Sequence, residues 1–411
     1  MLSEFPSYDD LSPEQDDVLR LPLGGIIDPP RGGGDDPPGI EISDPTGGEG
    51  DDECNGSYLI LGPPGTGKSV MALYRTVQFL KQGKKVVLLT YSRLLNNYMS
   101  QLLETCFDID AEEVVKTYHT WSKFGLWQDL MGGDGNPPHH GDDLYDINWD
   151  AILNELGDLE PLPINLIVDE GQDLPKEFYG VARLLFSTVT VFADENQSIN
   201  KTRNSTIKEI RQWGSFRDEC IRYLEYNYRN TEPIANLARS LYPGDTNELP
   251  LINPERIGSK PMITGWDSFD DSQEAIANFA NNYPNENIGI FFPLSKGNWL
   301  TKAWSKALDE LIDGREIQTY FRGRGAPPKI NFMRPNLILT NYKNAKGLEF
   351  DRVFLVELQN NGWPTLGEPH GEHIYYVLVS RARDNLHIHY SGSNRPTIFS
   401  SFPNDKVDYD E

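Results

Sequence analysis

The chain alternates short apolar runs with longer amphipathic stretches, and this alternation predicts its architecture before any motif is considered. Tyr58–Leu61 is an apolar run fit for a buried strand, and it breaks at Gly62. From Val70 the period changes, with Met71, Leu73, Tyr74, Val77 and Leu80 three or four apart, as on one helix face. Residues 84–91 read as a second buried strand, followed by a helix through Leu94, Leu95, Tyr98, Leu102 and Leu103. Further strands are expected at 114–119, 163–168 and 189–193. A second series begins near residue 219, with strands at 288–292, 337–341, 353–357 and 386–390 and helices at 272–282 and 299–312. Strands alternating with helices predict an α/β fold whose parallel sheets are covered on both faces. The ligand is then expected beyond the strand C-termini.

The stretches between are polar. Residues 11–23 read as a short helix with Ser12 as N-cap and Pro13 at its first position. Residues 24–57 are rich in Gly, Asp and Pro. Over residues 1–57, fifteen acidic residues face two basic ones. Such a segment cannot offset its own ordering entropy, so a disordered acidic insertion is expected there. Residues 131–149 read as a loop, in which His139 and His140 are solvated and hold no metal, and Asn404–Glu411 reads as a frayed acidic tail. Of 411 residues, 38% are hydrophobic and none of the apolar runs reaches 18, so no membrane span is expected. The start, Met-Leu-Ser-Glu-Phe, lacks the pattern of a signal peptide. Three scattered cysteines, Cys54, Cys106 and Cys220, read as isolated thiols of a reducing cytoplasm. Against a net charge of −25, residues 315–346 are locally basic: Arg315, Arg322, Arg324, Lys329, Arg334, Lys343 and Lys346 face only Glu316. That run is either a phosphate-contacting surface or a solvated loop.

The strand-to-helix junction carries the clearest chemistry. Gly62, Pro63, Pro64, Gly65, Thr66, Gly67, Lys68 and Ser69 fit G-x-x-x-x-G-K-[ST], a phosphate-binding loop. Its glycines let backbone N–H groups turn toward phosphates at a helix N-terminus. Lys68 is expected to reach the outer phosphates and Ser69 to ligate Mg²⁺. About 100 residues on, Asp169-Glu170 closes another strand. We assign Asp169 to the metal and Glu170 to the base that polarises the attacking water.

The order of segments resembles superfamily 1 helicases of the UvrD/Rep type over residues 11 to about 391. Gln15, in Leu-Ser-Pro-Glu-Gln, matches the glutamine that this family places against adenine. Asp169–Asp173 (DEGQD) resembles its Mg²⁺ and hydrolysis motif. Ala193–Ile199 resembles the next motif, whose glutamine, here Gln197, senses the γ-phosphate. Leu224–Arg229 is similar to the segment where a tyrosine stacks on the base and an arginine contacts phosphate, here Tyr228 and Arg229. Ala345–Phe350 resembles the motif linking nucleotide to nucleic acid, with Glu349 near the ribose. Tyr376–Arg383 resembles the last motif, in which Arg381 matches the arginine finger. Tyr91, Thr117, His119 and Lys343 match positions that grip a single strand.

The resemblance implies two RecA-like P-loop NTPase domains, 1–218 and 219–400, with ATP in the cleft between them and an acidic tail at 401–411. It leaves only a small remnant insertion at about 125–160. It implies an ATP- and Mg²⁺-dependent helicase or translocase on single-stranded DNA, with RNA as the alternative, moving 3′ to 5′ in the cytoplasm. Three features depart from the family. Asn200, Lys201 and Thr202 stand where base-stacking aromatics follow Gln197, Lys343 replaces a histidine, and the accessory inserts are missing or shrunken. The missing inserts, the altered stacking motif and the acidic surface support a rival expectation, an ATP-gated switch controlling a companion nuclease or effector. A small-molecule kinase fits poorly with the two arginine motifs.

Overall fold

The computed structural model describes residues 5–24, 53–121, 137–141, 146–155, 161–194, 204–244, 249–295, 298–320, 329–365, 371–393 and 395–410. The chain divides into two compact units. One comprises Phe5–Pro63 with Gly67–Glu225; the other comprises Tyr226–Glu411 together with Pro64–Thr66.

The first unit is built on a six-stranded sheet of β1 (Tyr58–Leu61), β2 (Val86–Thr90), β3 (Val115–Thr117), β4 (Leu162–Val168), β5 (Phe186–Ala193) and β6 (Ile221–Tyr223). All neighbours run parallel, in the order β3-β2-β4-β5-β1-β6. The central strands are largely apolar because helices cover both faces: β2 is buried at all five positions, whereas the edge strands β3 and β6 carry Lys116 and Arg222. Helix Lys68–Lys81 buries Met71, Leu73, Tyr74 and Val77, the residues whose spacing predicts it. The order places the ends of β1, β5 and β4 side by side, with Leu61 opposite Ala193 and Val168 opposite Val191. Gly62, Asp194 and Asp169 therefore leave one sheet edge together.

The expected N-terminal helix spans Pro13–Leu19 and is capped by Ser12. It is held by a device its sequence does not announce. Arg75, fully buried on helix Lys68–Lys81, donates to the carbonyls of Val18 (3.4 Å), Leu21 (3.0 Å) and Pro22 (3.1 Å). Gln78 Nε2 donates to Leu19 O at 2.9 Å. A cation and an amide thus satisfy carbonyls that end a helix, where the helix dipole favours positive charge.

The second unit opens with a two-residue ladder that pairs β7 (Tyr226–Asn227) with β8 (Leu251–Ile252). Its main sheet has seven strands: β9 (Met262–Trp266), β10 (Ile288–Phe292), β11 (Ile317–Tyr320), β12 (Leu337–Asn341), β13 (Phe350–Leu355), β14 (Ala382–Ser391) and β15 (Asp408–Asp410). They run parallel in the order β11-β12-β10-β13-β14-β9-β15. Helix Trp299–Leu311 packs Leu300, Trp304 and Leu308 against Ile290, Phe292, Leu337 and Leu339. The α/β fold with parallel sheets is as expected from the sequence.

Several details correct the sequence reading. The tail expected to fray contains β15, which pairs with Met262–Thr264 at the sheet edge. Cys54 and Cys220 are not isolated thiols: they form a disulfide with Cα atoms 5.6 Å apart, leaving Cys106 as the free cysteine. That pairing removes the support which scattered thiols gave to a reducing compartment. Arg315 is no surface cation, since its guanidinium donates to the carbonyls of Ala280, Tyr283, Glu286 and Asn336. The loop expected at 131–149 ends in a bridge between His139 and Ile147 and runs into helix Trp149–Glu155. The acidic insertion from 25 to 52 and residues 122–136 lie outside the described residues, as do Arg322 and Arg324. Among the described residues no helix is long and apolar enough to cross a membrane.

Candidate active site

The site of the first unit forms where β1 hands over to helix Lys68–Lys81. Gly67 holds φ +89°, a left-handed conformation that costs a residue with a Cβ about 1–2 kcal/mol. A Cβ at Gly67 would also run into Nε2 of Gln15. Gln15 is thus placed on the phosphate-binding loop, while its Oε1 accepts from the Ser12 N–H at 3.0 Å. The Arg75 anchor fixes the helix that carries it.

Lys68 is buried, and its ammonium donates to Gly62 O and, at 2.9 Å, to Pro63 O. It lies 3.8 Å from Asp194 Oδ2. Ser69 Oγ donates to Asp169 Oδ2 at 2.7 Å, across 100 residues of sequence. Burial, and then the neighbouring Glu170 charge, push the Asp169 carboxyl up to about 7, while the Ser69 hydrogen bond and Lys68 oppose the shift. A hydroxyl and a carboxylate side by side are a hard oxygen donor set suited to Mg²⁺, and a cation there would favour the ionised carboxylate. Glu170 also sits in the left-handed region (φ +58°), a strained backbone of the kind found at functional sites. Its N–H donates to Asp169 Oδ1 at 3.0 Å, and its Oε2 accepts from Gln172 Nε2. Gln172 Oε1 in turn accepts from the Asp194 N–H at 2.9 Å. One buried amide therefore ties the expected base to the end of the next strand.

In the second unit the Tyr228 N–H donates to Gly65 O at 2.9 Å. Arg229 Nε donates to Glu349 Oε2 at 2.8 Å, and its Nη1 donates to Ser380 O at 3.4 Å. Arg381 is 1% exposed; it donates to Val377 O (3.0 Å), Leu348 O (3.4 Å) and Ser380 Oγ (3.1 Å). Arg229, Glu349 and Arg381, far apart in sequence, thus meet around Ser380.

Of the residues matched to a nucleic-acid grip, Tyr91, Thr117 and His119 come together at the ends of β2 and β3. The Tyr91 and His119 rings lie 5.1 Å apart, Thr117 caps the helical turn Tyr118–Thr120, and Tyr91 also packs on the core. Lys343 is exposed on the second unit just after β12. Gln197 and Asn200–Thr202 lie outside the described residues. Sequence reasoning passed over Arg75 and gave no role to Gln172 or Asp194. Gln172 stands inside the DEGQD segment and Asp194 at a strand end, so both had a positional signal; Arg75 had none. Among the described residues no three or more His, Cys, Asp or Glu side chains gather as a metal cluster, so the Ser69 and Asp169 oxygens would need the phosphates and water to complete a cation's shell.

Residues 337–393 match the family model of the UvrD-like helicase C-terminal domain. The chain is 28% identical over 142 residues to the ATP-dependent DNA helicase srs2 of Schizosaccharomyces pombe, covering 34% of this chain and 15% of that protein. It is 24% identical over 278 residues to an Acanthamoeba polyphaga mimivirus protein named as a putative ATP-dependent DNA helicase, covering 61% and 39%. The chain therefore spans well under half the length of either relative. The crystal structure of the C-terminal domain of a possible DNA helicase from Lactobacillus plantarum aligns with 45% of this chain and 99% of its own, at 19% identity and a TM-score of 0.33.

Proposed function

We propose that the chain is a UvrD/Rep-type helicase family member and an ATP-hydrolysing motor on single-stranded nucleic acid, DNA in the first instance, moving 3′ to 5′; the match of residues 337–393 to the UvrD-like C-terminal domain and the likeness to two DNA helicases support this. The observation that carries the reading is the convergence of Lys68, Ser69, Asp169, Glu170 and Asp194 on one sheet edge, with Gln15 against the loop glycine. In this reading Lys68 exchanges its loop carbonyls for the outer phosphates, and Ser69 and Asp169 hold Mg²⁺. The metal supplies charge neutralisation on the phosphates. Glu170 accepts the proton of the attacking water, held in place by Gln172. Gln15 faces the base.

Hydrolysis also needs positive charge where the transferred phosphoryl group develops negative charge. We assign that to Arg229 and Arg381 of the second unit, so that turnover requires the two units to close and release completes a step along the strand. Arg381 must leave three acceptors of its own unit to do this, which makes the step conformational. The rival reading, a switch that controls a nuclease or effector without processive unwinding, is favoured by Asn200, Lys201 and Thr202 in place of stacking aromatics. Glu170→Gln is the test of the site. It is expected to bind ATP tightly and hydrolyse it at least about a hundredfold more slowly; undiminished hydrolysis would refute the assignment.

A further inference from the structure

Helix Trp299–Leu311 turns one face to the sheet and the other to solvent. The buried face is Leu300, Trp304 and Leu308. The opposite face starts with Trp299, 61% exposed, and continues through Lys302 and Lys306, both exposed, one and two turns on. The first turn of this helix contains no acid; Asp309 and Glu310 stand in its last turn. Neither lysine takes part in an ion pair among the described residues, nor does Lys343.

The start of this face and Lys343 belong to the same sheet edge. Phe292, the last residue of β10, pairs with Asn341, the last of β12. Lys343 follows Asn341 by two residues, and Leu294, 40% exposed, follows Phe292 by two. The helix then descends from that edge over β11 and β12. A tryptophan in water forgoes more burial than almost any other side chain, so its exposure beside these cations calls for a ligand with both a flat apolar face and negative charge. In a protein of net charge −25 the patch is local and cannot be put down to a generally basic surface.

We propose that this face is a single-stranded nucleic-acid contact in which Trp299 stacks on a base and Lys302 and Lys306 take neighbouring phosphates. The inference rests on the nucleic-acid reading above and adds residues to it. Aromatic faces bind any base, and lysines about 6 Å apart along a helix suit the phosphates of an extended strand without reading its sequence. An acidic peptide would satisfy the lysines but leave the indole ring without a stacking partner.

The test is binding of a fluorescent oligothymidine and an oligouridine to the full chain over a range of salt, for the wild type, Trp299→Ala, Trp299→Phe and Lys302→Gln/Lys306→Gln. Trp299→Ala is expected to weaken binding roughly five- to tenfold, and Trp299→Phe, which keeps a ring, to restore most of it. The double lysine variant is expected to lower the slope of log K against log salt by about 1.4, since each single-strand phosphate contact contributes about 0.7. Wild-type binding that all three variants reproduce would overturn the inference alone, leaving the proposed motor intact. Absence of any binding by the wild type would overturn both.

Discussion

Replacing Arg75 by methionine keeps most of the side-chain volume and removes the donors that fasten helix Pro13–Leu19. The guanidinium is fully buried, with two good contacts to Leu21 O and Pro22 O (3.0 and 3.1 Å) and a longer one to Val18 O. Hydrogen bonds to charged groups are worth about 1.5–3 kcal/mol each, and a buried carbonyl left without a donor costs as much again as its desolvation. Relief from burying a charge offsets part of this. The net loss is therefore about 3–5 kcal/mol, expressed locally as opening of residues 13–23 rather than as global unfolding. Hydrogen exchange reads this directly. Amides of residues 17–20 should lose at least about a hundredfold of protection, since about 1.4 kcal/mol is tenfold. Because that helix carries Gln15, discrimination of ATP from GTP should fall in the same variant, as it should in Gln15→Ala. A protection change below about fivefold would refute the argument that Arg75 anchors the helix. Lost protection with unchanged base discrimination would refute the link to Gln15.

Gly67→Ala forces a Cβ into a left-handed position and into the Gln15 amide; nucleotide affinity by titration calorimetry should fall at least about tenfold, and a change under about twofold would contradict the loop geometry. The second unit should be acid-sensitive in a defined window. Burial pushes His387 and His389 down to about 3, with Arg352 beside His387 adding to the shift. Their folded values are below the unfolded one, so the unfolded chain takes up protons first as pH falls below about 6.5. Stability is full above that pH and declines toward 3, by up to about 1.4 kcal/mol per pH unit for each histidine. Urea midpoints between about pH 7 and 5 measure this before most carboxylates titrate, and a flat profile would contradict it.

The loop at Gly62–Ser69 was legible because an apolar run, a glycine-rich break and a helical period meet there, three signals that agree. Asp169 and Glu170 were legible by their place at a strand end. What escaped has a common physical cause, in that it depends on contacts the chain makes only after folding. Asp408–Asp410 is polar and short, yet an edge strand needs only backbone partners, which Met262–Thr264 supply. Cys54 and Cys220 are 166 residues apart, and what joins them is the pairing of Leu59 with Ile221 in adjacent strands. Arg75 and Arg315 look like solvated cations in a one-dimensional reading, whereas the fold uses both to satisfy backbone carbonyls. The same logic hid Trp299: its spacing predicts a helix, but only the packing of Leu300, Trp304 and Leu308 decides that it faces water.

A motor differs from any other nucleotide hydrolase in that a nucleic-acid track drives turnover at the Lys68 site. ATP hydrolysis by the full chain should therefore be followed with and without single-stranded DNA or RNA, at several salt concentrations, with Lys68→Ala as control. Strong stimulation by one polymer is expected, weakening as salt rises, with none in Lys68→Ala. Turnover that no polymer stimulates, or that persists without Lys68, would contradict the motor.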